Sequence, residues 1–439
     1  MWAAATKISG RSIADIYRNN SPCHDFPMSI LLWLKSKFEA RPRTPKRVYL
    51  DYAAATPMTA AAVAAMTRFL REDFGNPGGI HQEGVTAKRA LEGFRTQVAR
   101  LLEVPESGLV FTSGGTESNN LAIRGVIESC RMAGRSHASM TIISTKLEHP
   151  ATLRTLEGLA ALGVRIVYAP VKIDGQLDMV QLRTFVDDSV VLVTLAYVNS
   201  EVGVITDTRA VRRLLDEVSK KLGTEILLHV DGAQAPLWLP CQLVRIGVDL
   251  LSLDGGKCGG GKGAGALVMK KGVTVAPLLR GGGQEMGLRP GTEPVHLVAA
   301  FATALGEAQS SWQSRSETVT SVRDYAITEI TKRIPKAVLN GPVGQDRVAN
   351  NIHISIPGID AEFAVITLDT HGIAASTKSA CSSKGGGAST VVLAMTGDEA
   401  RASSTLRFTL GPDTTTAQID QTLDVLCEYL KQAEQTVFA

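Results

Sequence analysis

The stretch Leu109-Val-Phe-Thr-Ser-Gly-Gly-Thr-Glu-Ser-Asn-Asn120 joins a short apolar run to a glycine turn and the start of a helical pattern. The apolar run has the length and composition of a buried strand, and the residues after the turn have helical spacing. A turn of this kind presents free backbone N–H groups and the positive end of the helix dipole to an anion, typically a phosphate. An ordinary helix N-cap would have a similar sequence, so this segment alone leaves both interpretations open.

Apolar runs and helical patterns continue to alternate along residues 48–313. The runs typical of buried strands lie at residues 109–112, 140–144, 164–169, 190–198, 226–230 and 250–253. The helical patterns include residues 60–71, 82–102, 117–131 and 208–222. Continuous apolar strands that alternate with helices predict an α/β domain whose mainly parallel sheet is covered on both faces.

A different pattern begins after about residue 313. A long helical segment at residues 317–333, a strand pattern at 350–356 and a C-terminal helix at 415–434 follow one another without that alternation. We therefore expect a large domain over residues 48–313 and a smaller α+β domain over residues 314–439.

Composition narrows the class of protein. The chain has 439 residues, 44% of them hydrophobic, and a formal net charge of +3, which excludes a disordered chain. The longest nearly apolar run, residues 190–198, is about half of what a bilayer-spanning helix needs. The six cysteines include no C-x-x-C pair, so they favour reduced thiols over a zinc or disulfide framework.

The charge is unevenly distributed between the first 47 residues and the rest. Residues 1–47 hold nine Lys or Arg and three acidic residues, so the remaining 392 carry a net charge of −3. That weakly acidic body lacks the basic stripe expected of a nucleic-acid-binding domain. We interpret residues 1–47 as a basic N-terminal extension, and the expected location is cytoplasmic, or an organellar matrix if the extension is a transit peptide.

Several predicted strands end in chemically useful side chains. His149 follows one strand, Asp231 ends another, and Lys257 follows a third and enters a glycine-rich segment. Because ligands bind beyond the carboxyl ends of parallel strands, we expect these groups to meet. Pyridoxal phosphate needs an anion-binding turn, a stacking ring, a carboxylate against its pyridine nitrogen and an amine for its aldehyde. The combination predicts a pyridoxal-phosphate site.

Several sequence motifs indicate a specific family of pyridoxal-phosphate enzymes. From about Val48 to the C-terminus the chain resembles the cysteine desulfurases, fold-type I pyridoxal-phosphate enzymes of the class V aminotransferase group. The motifs that carry this resemblance, in family order, are Leu50-Asp-Tyr-Ala-Ala-Ala-Thr-Pro57, Phe74-Gly-Asn-Pro77 with His81, Phe111-Thr-Ser-Gly-Gly-Thr-Glu-Ser-Asn-Asn120, His229-Val-Asp-Gly-Ala-Gln234, Gly281-Gly-Gly-Gln-Glu285 and Arg289-Pro-Gly-Thr292.

The resemblance implies a role for each cofactor-binding residue. Lys257 is the lysine that bonds to the cofactor aldehyde, Asp231 pairs with the pyridine nitrogen, and His149 stacks on the ring. The remaining contacts are a hydrogen bond from Gln234 to the ring hydroxyl, phosphate binding by Gly115 and Thr116, and a contact from Thr292 to the phosphate of the partner subunit in a homodimer.

The resemblance also implies how substrate is held and where sulfur goes. Arg407 resembles the clamp for the substrate carboxylate, and Asn199 and Ser200 occupy the segment beside the substrate. Cys381, in Ser379-Ala-Cys-Ser-Ser383, resembles the nucleophile that takes sulfur from L-cysteine as a persulfide and leaves L-alanine. Cys258 has no such counterpart and is interpreted as a packing residue.

Three positions depart from the family pattern. Ser200 stands where a second Asn is usual, and Asp254-Gly-Gly-Lys257 replaces Ser-Gly-His-Lys or a close variant. The changes at Asp254 and Gly256 remove a hydroxyl and an imidazole that would donate to the phosphate. Asp254 would repel a phosphate dianion unless it is turned away or paired, so weaker cofactor affinity is expected.

The sequence therefore favours an active but divergent cysteine desulfurase, with L-cysteine as substrate. Selenocysteine lyase, which shares the fold and cofactor, and a catalytically silent scaffold that binds sulfur-transfer partners are the alternatives. The sulfur-acceptor protein is left open, since iron–sulfur cluster assembly and tRNA thiolation both fit.

Overall fold

A computed structural model describes residues 47–377 and 387–437, with side chains described as far as residue 433. The predicted N-terminal extension, apart from Arg47, and the loop that carries Cys381 lie outside the described residues. The described residues from Val48 onward form one compact unit. The proposed division of this unit at residue 313 stays a prediction.

A seven-stranded sheet is built from strands within residues 109–269. Its members are β2 (Leu109–Thr112), β3 (Thr141–Ser144), β4 (Arg165–Tyr168), β5 (Val190–Ala196), β6 (Leu227–Asp231), β7 (Leu250–Asp254) and β8 (Gly265–Met269). Their order across the sheet is β2-β8-β7-β6-β5-β3-β4. Only β8 runs antiparallel to its neighbours β2 and β7, so the predicted mainly parallel sheet is confirmed. The carboxyl ends of the other six strands share one edge.

Helices precede, connect and follow these strands. Three predicted helices have the same bounds in the structure: α1 (Ala60–Arg71), α2 (Gln82–Leu102) and α6 (Thr208–Leu222). The predicted helix at 117–131 is longer and forms α3 (Gly115–Met132). The remaining helices of this region are α4 (Pro150–Ala161), α5 (Met179–Phe185), α7 (Leu243–Ile246) and α8 (Val295–Ser310).

The C-terminal part of the described chain has an antiparallel sheet of its own. Its three strands, in the order β12-β10-β9, are β9 (Val338–Leu339), β10 (Asn351–Ser355) and β12 (Thr405–Thr409). The helices are α9 (Trp312–Arg333), α10 (Ala361–Thr370), α11 (Thr390–Thr396), α12 (Glu399–Ser403) and α13 (Thr416–Val437).

The beginning of the described chain joins this C-terminal part. Strand β1 (Val48–Tyr49) pairs in parallel with β11 (Ile373–Ala374). Asp51 then bridges Thr409 at the end of β12. This arrangement brings the segment after β1 to the edge of the central sheet, a long-range pairing that the sequence pattern did not predict.

The core is built from the apolar strands and the inner faces of the helices. Leu192, Val193, Leu250 and Leu251 are completely buried, because both faces of the central sheet are covered. Within residues 47–377 and 387–437, no helix is long and apolar enough to cross a bilayer.

Candidate active site

Lys257 lies in a cavity at the edge where the parallel strands end. It follows β7 after a single turn of helix, and its Nζ donates to the carbonyl oxygens of Ala53, at 2.8 Å, and Ala54. The lysine is half-buried. The segment after β1 therefore holds the amine in place at the cavity wall. The cavity is lined by Ala53, Ala54, Gly115, Thr116, Asn119, Leu147, His149, Ala196, Val198, Asn199, Ser200, Asp231, Ala233, Gln234, Asp254, Lys257 and Arg407.

Asp231, the last residue of β6, has donors on both carboxylate oxygens. Asn119 Nδ2 donates to its Oδ2 at 2.6 Å, and the backbone N–H of Ala233 donates to its Oδ1 at 3.0 Å. Charge-assisted hydrogen bonds of this kind fix the direction of a carboxylate. Asp231 is thus held facing the cavity that contains Lys257.

His149 begins helix α4 and also lines the cavity. Its Nδ1 accepts a hydrogen bond from the backbone N–H of Ala151 at 3.1 Å, so the ring caps the helix and is oriented by it. The residue before it, Glu148, is buried, and burial raises the pKa of its carboxyl group to about 8. Thr145 Oγ1 donates to Glu148 Oε1 at 2.6 Å, whereas Oε2 has no partner among the described residues.

The turn that opens α3 faces Asp254 at the end of β7. Gly114 has a φ of 141°, and a Cβ placed on it or on Gly115 would lie 3.3 Å from Asp254 Oδ2. The N–H of Gly115 donates to that oxygen at 3.0 Å, and the N–H of Gly256 donates to Oδ1 at 2.8 Å. Asp254 is therefore not turned away from the predicted phosphate-binding turn but hydrogen-bonded to it.

Arg407, in the middle of β12, supplies the only guanidinium among the residues that line this cavity. It is 1% exposed, and its Nη2 lies 2.9 Å from Asp51 Oδ1. Its Nη1 donates to the carbonyl oxygen of Ser200 at 2.9 Å, and its buried Nε has no partner within the described part of the chain. A buried guanidinium with a free N–H beside the amine is suited to a small carboxylate ligand.

Asn199 and Ser200, which follow β5, make different contacts in the structure. Asn199 donates to Leu147 O at 2.7 Å and accepts from the N–H groups of Glu201 and Val202 at 2.9 Å, so its amide maintains the loop. Ser200 accepts from Arg407 Nη1 through its backbone carbonyl oxygen at 2.9 Å.

Gln234 lies on the same cavity wall as Lys257. Its Nε2 donates to Ala53 O at 2.9 Å, the same carbonyl that Lys257 binds. Thr116, in the first turn of α3, is exposed at the cavity rim. The structure therefore brings together all but two of the predicted site residues.

Thr292 and Cys381 are the two residues not placed in the cavity. Thr292 is exposed and absent from the cavity lining. The loop that carries Thr292 is anchored by Glu285, which accepts from Arg95 Nη2 at 2.7 Å and from the N–H of Phe111 at 2.8 Å. Cys381 lies outside the described residues.

Two residues with evident functions were not assigned a role from the sequence. Asn119 orients Asp231, and Asp51 pairs with Arg407. Asn119 lies three residues after Thr116, which puts both on one helical face, and that spacing could have identified it. No local signal connects Asp51 to Arg407, which is 356 positions away.

The residues present fit pyridoxal phosphate in most respects. The amine of Lys257, the oriented carboxylate of Asp231 and the ring of His149 share one cavity, and the glycine turn of α3 would be obstructed by a Cβ. Asn119 Oδ1 is buried without a partner among the described residues. The anion-binding turn departs from this fit, because the Asp254 carboxylate already accepts from Gly115.

Comparison with known proteins agrees with this fold and shows the family to which the chain belongs. The Aminotransferase class-V family matches residues 48–422. A cysteine desulfurase IscS of Dictyoglomus turgidum is 37% identical over 381 residues, which cover 87% of this chain and 94% of the relative. A solved NifS-like protein superposes with a TM-score of 0.80 at 32% identity, covering 88% of this chain and 99% of its own. A solved structure described as SspA in complex with cysteine has a TM-score of 0.71 at 27% identity, over 84% of this chain and all of its own.

The fold is that of the fold-type I pyridoxal-phosphate enzymes. The chain belongs to the class-V aminotransferase family and, within it, to the cysteine desulfurases. Pyridoxal phosphate is the cofactor of this family. The relatives found do not favour the selenocysteine lyase alternative.

Proposed function

We propose that this protein removes sulfur from L-cysteine, releasing L-alanine and leaving a persulfide on Cys381. The main support for this proposal is that Lys257, Asp231 and Arg407 line one cavity, although they lie on or after three separate strands. The kinship with cysteine desulfurases and the fold shared with a cysteine-bound neighbour support this substrate.

Each cavity residue is suited to one task in this reaction. Arg407 binds the substrate carboxylate, because its side chain is buried, positively charged and already oriented by Asp51. Lys257 is within the same cavity and accepts or returns the proton at the substrate Cα. Fixed positions for both groups lower the entropic cost of reaching the reactive arrangement.

The cofactor contacts follow from the same geometry. Lys257 would hold the aldehyde carbon, Asp231 would keep the pyridine nitrogen protonated, and His149 would stack on the ring. Gln234 would bond to the ring hydroxyl, and Gly115 with Thr116 would contact the phosphate. When bound, pyridoxal phosphate supplies the electron sink that makes the substrate Cα–H bond acidic.

Sulfur transfer is assigned to Cys381. Its thiolate attacks the sulfur of the bound cysteine, so that an S–S bond forms and the substrate Cβ–S bond breaks. The electron pair of the broken bond ends in a new C–H bond of L-alanine, and the enzyme retains the added sulfur as a persulfide. No external oxidant or reductant is needed for this balance.

Two partners are part of the proposal. A second copy of the chain would bring its Thr292 to the phosphate, in agreement with the exposure of this residue. A sulfur-acceptor protein would then receive the persulfide sulfur from Cys381.

The test is to incubate purified full-length protein with pyridoxal phosphate and L-cysteine. We expect visible absorbance from the bound cofactor, L-alanine release and a persulfide. Lys257→Ala should abolish the absorbance and the alanine, and Cys381→Ala should abolish the persulfide. Cys427→Ala is the matched control, since this cysteine lies on α13, away from the cavity. Normal alanine and persulfide production by Cys381→Ala would refute the assignment, as would no cofactor binding by the unaltered chain.

A further inference from the structure

The carboxylate of Asp254 lies over the turn that should receive the cofactor phosphate. We define the phosphate cradle as residues 114–116, the glycine turn and the first residue after it. Asp254 Oδ2 accepts from the Gly115 N–H at 3.0 Å, and Oδ1 accepts from the Gly256 N–H at 2.8 Å. The oxygen is also 3.3 Å from where a Cβ on Gly114 or Gly115 would be. One anionic group of the chain therefore occupies the face of the cradle.

The cradle is a helix N-terminus without a capping side chain of its own. Helix α3 has 18 residues and begins after Gly114, which offers no side-chain hydrogen bond. Its first N–H groups and the positive end of its dipole stabilise a nearby negative charge. Asp254 takes this position, since its Oδ2 accepts from the Gly115 N–H. Backbone N–H groups are its donors.

A phosphate dianion needs the same N–H groups. For it to enter, the Asp254 carboxylate must leave the cradle or remain beside a second negative charge at short range. Either course opposes binding of the phosphate and leaves the contacts of Lys257, Asp231 and His149 with the rest of the cofactor unaffected. Asp254 therefore disfavours binding of the phosphate group alone.

We propose that Asp254 is a specificity-determining residue that lowers this site's preference for pyridoxal phosphate over unphosphorylated pyridoxal. The proposal rests on the proposed function, because it assumes that Lys257 accepts a pyridoxal aldehyde. The proposed effect is a change in the ratio of two dissociation constants, that for pyridoxal phosphate and that for pyridoxal. A general loss of affinity would raise both constants equally.

The test measures dissociation constants for pyridoxal phosphate and for pyridoxal by equilibrium dialysis of the cofactor-stripped full chain. Asp254→Ser removes the charge and adds a hydroxyl donor, and Asp254→Asn removes the charge at constant size. We expect both variants to bind pyridoxal phosphate more tightly, by roughly 10- to 100-fold for serine. The dissociation constant for pyridoxal should change by less than about threefold, because pyridoxal has no phosphate to be repelled by the Asp254 carboxylate. Asp216→Ser, an exposed aspartate on α6, is the control for the change in net charge.

The outcomes separate the two proposals. A phosphate-specific gain in either Asp254 variant, absent from Asp216→Ser, supports the role of Asp254. Unchanged or weaker binding of pyridoxal phosphate in both Asp254 variants overturns it, and so does an equal gain for the two ligands. If the unaltered chain and every variant bind neither aldehyde, the proposed function fails first, and this inference fails with it.

Discussion

Asn119 Nδ2 lies 2.6 Å from Asp231 Oδ2 and joins the first turns of α3 to the end of β6. The contact connects the helix that opens at the phosphate cradle with the strand whose carboxylate would pair with the pyridine nitrogen of the cofactor. Asn119 is 1% exposed, so water does not replace this donor easily. This hydrogen bond therefore links the helix of the phosphate cradle directly to Asp231.

Removing this hydrogen bond should weaken cofactor binding. Asn119→Ala leaves Asp231 Oδ2 without its side-chain donor, and a hydrogen bond to a charged group contributes about 1.5–3 kcal/mol. We expect the dissociation constant of pyridoxal phosphate to rise by about 10- to 100-fold, as measured by equilibrium dialysis. Asn120→Ala is the control, because its side chain binds Thr116 O and Thr155 instead. Equal effects of the two substitutions would contradict the positioning role.

Replacing the guanidinium of Arg407 should affect substrate more than cofactor. Arg407→Lys keeps one charge but loses the planar fork that contacts Asp51 and the Ser200 carbonyl. We expect KM for L-cysteine to rise by roughly tenfold or more, with little change in the dissociation constant of pyridoxal phosphate. Steady-state alanine release gives KM, and Arg213→Lys, on the exposed face of α6, is the control. An unchanged KM would show that the substrate carboxylate is bound elsewhere.

Glu285 should contribute strongly to stability. Both of its oxygens accept from Arg95, whose side chain is 8% exposed, and one also accepts from the Phe111 N–H. Glu285→Ala removes two hydrogen bonds of the buried Arg95 guanidinium, which keeps its contacts with Glu92 and the Leu109 carbonyl, and leaves the buried Phe111 N–H without its acceptor. We expect a loss of about 2–4 kcal/mol. Denaturant unfolding measures the loss.

The matched control for that experiment is an exposed pair. Glu157→Ala breaks the Arg154–Glu157 contact on α4, where the two side chains are 77% and 54% exposed. Solvent and salt screen such a pair, so the midpoint of unfolding should hardly change. A comparable loss in both variants would mean that burial of the Arg95–Glu285 pair is not the cause.

The carboxyl group of Glu148 should make stability fall as pH rises. Burial holds its pKa at about 8 in the folded protein, against 4.5 for the ordinary group. Between these values the folded state retains a proton that the unfolded state releases, so the free energy of unfolding decreases with pH up to about 8. Glu148→Gln removes this dependence. The difference between variant and parent should grow from pH 5 to pH 8, up to about 4 kcal/mol.

Unfolding by urea at several pH values tests this expectation. Glu157→Gln is the control, because that side chain is 54% exposed and lies on the surface of α4. A constant difference between Glu148→Gln and the unaltered protein from pH 5 to pH 8 would show that Glu148 is ionised in the folded state.

The sequence by itself determined much of the secondary structure and the family of the protein. The helices at Ala60–Arg71, Gln82–Leu102 and Thr208–Leu222 were predicted with their observed bounds, because apolar spacing and end signals are local properties. Lys257, Asp231 and His149 could be predicted to meet, since the carboxyl ends of parallel strands share one edge.

Only the tertiary structure decided which side chains contact one another across the fold. The Asp51–Arg407 pair joins the two ends of the described chain, and Asn119 reaches Asp231 from another element. Whether Asp254 is directed toward or away from the glycine turn depends on its side-chain rotamer and on the distance between β7 and α3. Those quantities are set by packing between distant segments, which no local pattern of residues contains.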